Sequence, residues 1–562
     1  MVERIALIGL SGSGKSSLAP LIARRLGWTA LDTDAMVVER FGLPIPEIFS
    51  RYGEAVFRAA EREALLAALR NTRVVIATGG GIVLDERNWV DLRRDTAVVH
   101  LAARLETLAA RLRAQQASDG TTGRPLLAGS LEERLRLLWE RRQHLYRRAD
   151  IVVETDDRAP EELAEEIVRR VAERAEQGAI PFLAIGGSTG RSDLFVRTGL
   201  LPLLGELVRH RWRSARRAFV VTDEQVERYW AEPVRRSLEA SEFAVTMLTV
   251  PAGERSKNLG VVESLLDRML ECGIERSDVV VALGGGVVGD LAGFAASIVL
   301  RGVGLVQVPT TLLAMVDASV GGKTGVDHRF GKNLIGTFYQ PHLVVADPAV
   351  LTSLPEEERR SGWAEVVKHA MIECTALGND EPLLLSLLTS RPFAAWWEPG
   401  ELDRVIRRNI EIKASVVAAD ERESGLRRIL NYGHTLGHAV EAASDYRLRH
   451  GEAVAIGMRA VARLAERLGL CMAELVVQQD ELLDAAGLPR SVELSPERVL
   501  ERVRYDKKSE GGIPTWILPT RPGHVVQRRE VPPELVRAVT EELLGERSGV
   551  GQRVRRCEGV DG

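Results

Sequence analysis

Short apolar runs alternate with amphipathic helical segments along residues 1–177. The runs that predict buried strands are residues 4–8, 74–77, 97–101 and 151–154. Apolar residues recur every three to four positions, as in helices, at residues 56–69, 131–146 and 160–177. Strands that alternate with helices are typical of βαβ units, so this part predicts a parallel sheet with helices on both faces.

A second α/β domain is predicted over residues 182–347, after a short linker at residues 178–181. Its strand-like runs are residues 218–222, 244–250, 279–283, 304–308 and 343–346. Helical patterns dominate from residue 348 to residue 544 and predict a mostly helical third domain. The tail, residues 545–562, is rich in glycine and arginine and has few apolar residues, so we expect it to be disordered.

Lysine is rare in this chain: of 75 basic residues, only eight are lysines. They are Lys15, Lys257, Lys323, Lys332, Lys368, Lys413, Lys507 and Lys508. All lie in glycine-rich or polar motif segments rather than on the Arg/Glu-rich helical faces. A lysine ammonium is a compact charge on a flexible stem, whereas an arginine guanidinium is a planar fork. The few lysines therefore indicate positions where an ammonium is needed and a guanidinium would not function. Codon bias is the alternative explanation.

The composition excludes several classes of protein. The net charge of -4 argues against a nucleic-acid or membrane surface. The four cysteines are far apart and form no C-x-x-C pair, which fits a reducing cytoplasm and argues against a disulfide framework. The most apolar stretch, residues 279–316, is interrupted by Asp290 and Arg301 and predicts a buried core. The chain opens directly on a strand, so we expect no signal peptide and a cytoplasmic protein.

Residues 9–16, GLSGSGKS, match the phosphate-binding pattern G-x-x-x-x-G-K-[ST] in full. The motif lies between a predicted strand and a predicted helix, which is the context that the pattern requires. The loop predicts ATP binding with Mg²⁺: Lys15 would reach the β- and γ-phosphates and the Ser16 hydroxyl would reach the cation. The predicted nucleotide-binding residues of the loop are Gly12, Ser13, Gly14, Lys15, Ser16 and Ser17.

Further motifs of this first part fall at the ends of its predicted elements: Asp32-Thr33-Asp34, Phe57-Arg58, Thr78-Gly79-Gly80-Gly81, Gly123-Arg124-Pro125 and Arg142. With the phosphate loop, this spacing resembles shikimate kinase. The resemblance implies that Asp34, Arg58, Gly80 and Arg142 hold shikimate, with Arg58 and Arg142 on its carboxylate and Asp34 on its hydroxyls. It implies as well that Asp34 orients or deprotonates the attacking hydroxyl. It also implies that Asp32 helps to order Mg²⁺ and that Arg124 closes over the ATP phosphates. Arginine forks suit the bidentate capture of a carboxylate.

The second part carries glycine- and lysine-bearing loops after its predicted strands. Residues 284–290, GGGVVGD, resemble a dinucleotide pyrophosphate turn, although the spacing is not G-x-G-x-x-G. Asp223 ends another strand, where an acidic residue could bind a ribose. The loops at residues 321–325 and 331–333 each present a lysine, which suggests phosphate binding.

The metal candidates lie in the helical part. His434 and His438 are spaced i, i+4, so spacing alone favours them as a ligand pair on one helix face. His450, Glu365 and Lys368 lie in neighbouring motifs. Three ligands drawn from histidine and glutamate would leave a zinc site open for a substrate.

Together these motifs resemble 3-dehydroquinate synthase over residues 182–544. The resemblance implies catalytic NAD and Zn²⁺ or Co²⁺, with Glu365, His434 and His450 as metal ligands and His438 in the substrate site instead. The implied NAD contacts are Asp223, Gly253, Glu254, Lys257, Gly286, Val287, Val288, Gly289, Asp290, Thr310, Thr311, Lys323, Lys332, Leu351, Thr352, Ser353 and Leu354. The implied substrate and catalytic residues are Asp317, Lys323, Asn333, Lys368, Lys413, Arg427, Asn431, His438 and one of Lys507 and Lys508.

The resemblance also implies a reaction. A heptulosonate phosphate would be oxidised by NAD beside the metal, lose phosphate by elimination, regain the hydride and close to 3-dehydroquinate. The synthase family suggests a homodimer formed through this part. The alternatives are an N-terminal regulatory ATP-binding module and another sugar-phosphate cyclase or a polyol dehydrogenase. The phosphate-binding lysines argue against the dehydrogenase, and the two implied reactions are not consecutive, so we expect two independent sites.

Overall fold

The computed structural model describes residues 2–92, 96–119, 131–146, 148–176, 180–188, 190–398, 400–504 and 514–544. They form two compact units, residues 1–355 with 396–427, and residues 356–395 with 428–562. The expected α/β class is confirmed for the first unit, and the second is mostly helical. The domain boundaries expected from the sequence stay predictions.

The N-terminal part of the first unit is a five-stranded parallel sheet of order β2-β3-β1-β4-β5. The strands are β1 Arg4–Ile8, β2 Thr29–Asp32, β3 Val74–Ala77, β4 Thr96–Ala102 and β5 Ile151–Glu154. The helices are α1 Lys15–Leu26, α2 Thr33–Phe41, α3 Ile45–Leu69, α4 Glu86–Leu92, α5 Leu105–Asp119, α6 Leu131–Tyr146 and α7 Pro160–Glu176. Apolar clusters cover both faces of the sheet. Because β1 lies beside β3, and β3 beside β2, the loops that follow these strands emerge side by side at the carboxyl edge.

The rest of the first unit is built on a seven-stranded sheet of order β6-β7-β14-β11-β10-β8-β9, parallel except for the β6–β7 pair. Its strands are β6 Leu183–Gly187, β7 Gly190–Val196, β8 Arg217–Asp223, β9 Ala244–Val250, β10 Val279–Gly284, β11 Gly304–Pro309 and β14 Leu343–Ala346. A separate antiparallel ribbon joins β12 Lys323–His328 to β13 Gly331–Phe338. The helices are α8 Leu204–Arg211, α9 Glu224–Val226, α10 Glu232–Ala240, α11 Leu259–Glu271, α12 Gly286–Ile298 and α15 Glu401–Ala419.

The order of this larger sheet decides where its loops lie. Strands β14, β11, β10 and β8 are consecutive neighbours and parallel, so the loops after all four emerge at one edge. In open α/β sheets, ligands bind at the carboxyl ends of the strands. The predicted dinucleotide contacts after these strands therefore share one edge of one sheet.

The second unit packs helices α13 Glu356–Leu377, α14 Leu383–Thr389, α16 His434–Ala443, α17 His450–Arg467, α18 Ala473–Ala485, α19 Pro496–Arg504 and α20 Pro533–Leu544. A hairpin of β15 Trp516–Arg521 and β16 His524–Arg528 accompanies them. The guanidinium of Arg459 is fully buried between the carboxylates of Asp480 and Asp484. Among the residues that the structure describes, every helix is too short or too polar to cross a lipid bilayer.

Candidate active sites

The loop after β1 adopts the conformation that a phosphate-binding loop needs. Gly12 and Gly14 have φ values of 86° and 95°, a region that side-chain-bearing residues rarely adopt. Lys15 begins α1, and its Nζ donates to the carbonyl oxygens of Gly9 at 2.8 Å and Leu10 at 3.0 Å. The ammonium therefore lies folded over the loop, at the helix N-terminus, where a phosphate would be stabilised.

Ser16 and Asp32, the two predicted Mg²⁺ ligands, lie together. Ser16 Oγ donates to Oδ2 of Asp32 at 2.6 Å. The other oxygen of Asp32, Oδ1, caps α2 by accepting from the backbone N–H groups of Asp34 at 2.9 Å and Ala35 at 3.2 Å. One hydroxyl and one carboxylate oxygen beside a phosphate loop match the oxygen ligands that Mg²⁺ prefers.

The predicted shikimate residues converge on the loop after β3. Nη1 of Arg142 donates to the Gly80 carbonyl at 2.7 Å. A Cβ placed on Gly79 would lie 2.6 Å from Oδ1 of Asp34, and one placed on Gly81 would collide with Arg58. Only glycine at positions 79 and 81 lets the Asp34 carboxylate and the Arg58 guanidinium approach the loop backbone so closely. Arg124 lies outside the described residues.

Glu61 belongs to this constellation although no sequence motif pointed to it. Its buried carboxylate accepts from Nη1 of Arg58 at 2.7 Å, while Glu54 accepts from Nη2 of the same arginine at 3.1 Å. Burial raises the pKa of Glu61, although Arg58 opposes the shift. The sequence signal for Glu61 is its position three residues after Arg58 on α3. That spacing is common on helices rich in Arg and Glu, so it does not single out Glu61.

At the edge of the larger sheet, the glycine turn links β10 to α12. Gly285 is the N-cap of α12, and Gly286 to Asp290 form its first turns. Nζ of Lys257 pairs with Asp290 and donates to the Asn333 side chain. Burial raises the pKa of Asp290, although the Lys257 ammonium opposes the shift. One polar cluster thus joins the Lys257 loop, the first turns of α12 and strand β13.

Other predicted dinucleotide residues surround the same edge. Oδ1 of Asp223 caps α9 by accepting from the backbone of Gln225 at 2.9 Å. The buried hydroxyl of Thr310 has no hydrogen-bond partner among the described residues, so a ligand could satisfy it. Ser353, in the turn Pro348–Ser353 that holds Leu351 and Thr352, accepts from the Trp230 indole at 2.8 Å. Thr311 follows Thr310, Leu354 ends the turn that holds Ser353, and Gly253 and Glu254 begin the turn before Lys257. The Lys332 ammonium is 3.7 Å from the Glu254 carboxylate.

A basic cluster lies beside the β12 end of this unit. Nζ of Lys413 is 2.9 Å from Oδ1 of Asp317 and is almost fully buried. Arg427 donates to the Gly321 carbonyl at 3.0 Å, burial lowers its pKa, and its buried Nε has no acceptor among the described residues. Lys323 is half-exposed and pairs with Glu423. Three cations in one part of the unit can accommodate a phosphate dianion.

In the second unit, three helices bring Glu365, His434 and His450 together. Oε1 of Glu365 is 3.4 Å from Nε2 of His434 and 3.5 Å from Nε2 of His450. Four tetrahedral ligands at about 2.0–2.2 Å from a zinc ion stand roughly 3.3–3.6 Å apart. These two separations therefore fit a zinc-sized ion, and all three ligand atoms lie within 4.8 Å of one another. Despite burial, Lys368 and His434 hold the pKa of Glu365 well below its ordinary value, so the carboxylate is ionised, as a ligand must be.

The remote ring nitrogens of both histidines are engaged. Nδ1 of His434 is 3.1 Å from the Tyr432 carbonyl, and Nδ1 of His450 is 3.4 Å from Oε2 of Glu441. With Nδ1 protonated, each Nε2 would offer its lone pair to an ion held beside Glu365. The His438 ring stacks edge-on with His434 at a centroid distance of 5.1 Å but lies outside the group of converging ligand atoms. The i, i+4 pair that spacing alone favours is thus not the group that the structure assembles.

The rest of the predicted substrate set is placed as follows. Lys368 is fully buried and pairs with Glu365, three residues earlier on α13. Asn431 ends the turn Leu426–Asn431, three residues before His434. Lys507 and Lys508 lie outside the described residues.

The chain matches known families along most of its length. The shikimate kinase model matches residues 11–172, and the N-terminal and C-terminal models of 3-dehydroquinate synthase match residues 247–361 and 362–509. The 3-dehydroquinate synthase of Symbiobacterium thermophilum is 46% identical over 356 residues, which cover 63% of this chain and 98% of that protein.

Two solved structures resemble the same part. ValA, the 2-epi-5-epi-valiolone synthase of Streptomyces hygroscopicus subsp. jinggangensis 5008 with NAD⁺ and Zn²⁺ bound, is 29% identical with a TM-score of 0.57, covering 63% of this chain and 96% of that one. A 2-deoxy-scyllo-inosose synthase complexed with carbaglucose-6-phosphate, NAD⁺ and Co²⁺ is 28% identical with the same score, covering 64% and 99%. The chain belongs to the 3-dehydroquinate synthase family and joins to it a shikimate kinase domain, which makes it a bifunctional enzyme of the shikimate pathway.

Proposed function

We propose specific roles for the residues of the kinase part. Lys15 and the N–H groups of residues 12–17 bind the ATP phosphates, and Ser16 and Asp32 hold Mg²⁺, which neutralises charge on the phosphates when bound. Arg58 and Arg142 bind the shikimate carboxylate. Asp34 accepts a hydrogen bond from the hydroxyl that attacks the γ-phosphate. The convergence of these side chains on the glycine loop after β3 is the observation that supports these roles.

For the synthase part, we propose that the carboxyl edge of the larger sheet binds NAD, which takes and returns a hydride when bound. Asp290 and Lys257 fix the glycine turn, and the buried hydroxyl of Thr310 donates to the cofactor. Lys413, Arg427 and Lys323 bind the substrate phosphate and stabilise the charge that develops as it leaves. His438 and Asn431 hydrogen-bond substrate hydroxyls.

We propose that Glu365, His434 and His450 hold Zn²⁺ or Co²⁺, which supplies Lewis-acid polarisation of a substrate hydroxyl when bound. The convergent 3.4 and 3.5 Å separations support this role. The two cyclase structures hold NAD⁺ with Zn²⁺ or Co²⁺, which points the same way. The buried ammonium of Lys368 balances the charge of Glu365.

The test uses the full chain and two assays, ATP-dependent phosphorylation of shikimate and phosphate release from 3-deoxy-D-arabino-heptulosonate 7-phosphate. We expect Lys15→Ala to abolish only the first activity and His434→Ala to abolish only the second. Omitting NAD or stripping the metal with a zinc-selective chelator should stop the synthase while kinase turnover with added Mg²⁺ continues. A chain that binds ATP without phosphorylating shikimate would instead favour a regulatory N-terminal module.

The substrates of both parts are small molecules. We propose further that the enzyme is a cytoplasmic homodimer joined through its synthase part and that it binds neither nucleic acid nor membranes. Light scattering coupled to size exclusion would test the dimer. A monomeric mass at micromolar concentration would contradict it.

A further inference from the structure

One backbone carbonyl in the kinase part receives two side-chain donors from the same helix. The oxygen of Gly80 accepts from Nη1 of Arg142 at 2.7 Å and from the hydroxyl of Tyr146 at 3.1 Å. Arg142 and Tyr146 are four residues apart on α6 and therefore share a face of that helix. The proposed function uses Arg142 and Gly80 but gives Tyr146 no role.

The Tyr146 ring is held rigidly. It is fully buried and stacks on the His100 ring of β4, at a centroid distance of 4.8 Å and an interplanar angle of 9°. Trp139, two turns earlier on α6, stacks with both rings at centroid distances of 6.3 Å. A phenol fixed between a strand and a helix has little freedom, so its hydroxyl donates in one direction. Burial raises the pKa of Tyr146 to about 12, so this donor keeps its proton at every working pH.

The position of the accepting carbonyl gives the contact its significance. The Gly80 carbonyl and the Gly81 N–H belong to one planar peptide, so a donor that fixes the carbonyl also fixes the orientation of Gly81. Arg58 lies directly against Gly81, and Asp34 lies against Gly79. Glycines alone would leave this loop conformationally free. Two donors on its central carbonyl hold the loop in the one conformation that Arg58, Arg142 and Asp34 surround.

We propose that Tyr146 is a positioning residue of the shikimate site: its hydroxyl, with Arg142, holds the Gly80 carbonyl and thereby sets the loop and the two arginines for the substrate carboxylate. This inference rests on the proposed function of the kinase part. It predicts an effect on shikimate binding and none on ATP, whose phosphates are bound by the loop after β1.

The test is Tyr146→Phe in the full chain, since phenylalanine keeps the ring stack and removes only the hydroxyl. Losing one neutral hydrogen bond should raise the shikimate Kd and KM by about 3- to 10-fold, with the KM for ATP, the kcat and the synthase activity within about 2-fold of the parent. The matched control is Trp139→Phe, which alters the same stack without touching Gly80. It should leave the shikimate Kd near the parental value.

Two results would overturn the inference: an unchanged shikimate Kd in a folded Tyr146→Phe chain, or an equal rise in the Trp139→Phe control, which would assign the effect to packing. Near-ultraviolet circular dichroism and calorimetric shikimate titration separate these cases from unfolding. The absence of shikimate phosphorylation in the parent chain would overturn the proposed function itself, before any variant is compared.

Discussion

Oε2 of Glu441 lies 3.4 Å from Nδ1 of His450, seven residues beyond His434 on α16. The carboxylate thus accepts from the ring nitrogen that faces away from the converging ligand atoms. A carboxylate in this position fixes the tautomer and orientation of the imidazole and raises its basicity as a ligand. Glu441 would orient the proposed ligand His450 without binding the ion itself.

We expect Glu441→Gln to weaken Zn²⁺ binding to the full chain by about 10- to 100-fold, because the amide still reaches Nδ1 but carries no charge. Competition with a chromophoric chelator measures this affinity directly. The Co²⁺-loaded variant should also show a shifted visible d–d spectrum. Glu452→Gln, in the first turn of α17, is the matched control because glutamine can keep the capping bond from the Arg449 N–H. Equal metal affinity in both variants would refute the role of Glu441.

Lysine at residue 413 cannot be replaced by arginine without displacing its partners. Its Nζ contacts both the Asp317 side chain and the Asp317 carbonyl in a nearly closed pocket, whereas a guanidinium is larger and planar. A displacement of about 1 Å costs roughly 100-fold in rate, so we expect Lys413→Arg to lower synthase kcat/KM by at least that factor.

Lys323→Arg should also cripple the synthase, with a smaller loss because Lys323 is half-exposed beside Glu423. Kinase turnover should stay at the parental value in both variants, which makes it the internal control. Near-normal synthase activity in both would mean that the scarcity of lysine reflects codon usage alone.

The elements that carry chemistry could be predicted because each is locally encoded. A buried strand followed by glycines predicted the phosphate loop and the turn after β10, and the parallel order of the strands brings such loops to the carboxyl edge of each sheet. Asp32 ends β2, whose residues are exposed or half-buried, so its role came from the family resemblance. The β12–β13 ribbon and the β15–β16 hairpin lacked such a signal. Residues 331–338, for example, are mostly exposed or half-buried, so they show no apolar alternation to detect.

The metal group shows where reasoning from spacing fails. Glu365, His434 and His450 come from three helices, and only their packing makes the atoms converge. Spacing along the sequence instead favours the pair His434 and His438, which lie on one helix. Family resemblance supplied the distant partners, and the roles that it implies for these residues stay predictions until they are measured.

Asp32 combines two functions that substitution can separate. One oxygen accepts from Ser16, and the other caps α2. Asparagine is as good an N-cap as aspartate, so Asp32→Asn should leave the melting temperature unchanged while the Mg²⁺ concentration needed for half-maximal kinase activity rises several-fold. Asp32→Ala removes the cap as well and should destabilise the kinase part by about 1 kcal/mol. Equal Mg²⁺ dependence in Asp32→Asn and the parent would exclude Asp32 from the cation site.

His100 makes the stability of the kinase part depend on pH. Burial, reinforced by the Lys15 ammonium, lowers its pKa to about 4 from an ordinary value of 6.5, and it stacks on the neutral Tyr146 phenol. The unfolded chain therefore binds a proton at His100 before the folded chain does. The contribution of the neutral ring to stability is complete above pH 6.5 and falls as the pH drops toward 4, by about 3 kcal/mol in all.

Burial also lowers the pKa of His342 to about 4, so histidine-selective ¹³C labelling and NMR should find more than one ring that stays neutral down to about pH 4.5. The signal of His100 is the one of these that should be missing from His100→Phe. That variant keeps an aromatic ring in the stack but cannot titrate. Its kinase-part melting temperature should therefore fall less than the parental one between pH 6.5 and 4.5, because one proton-linked loss is absent. A His100 signal that titrates near pH 6.5, or parallel melting curves for the two chains, would show that the stacked ring is hydrated and that Lys15 does not act on it.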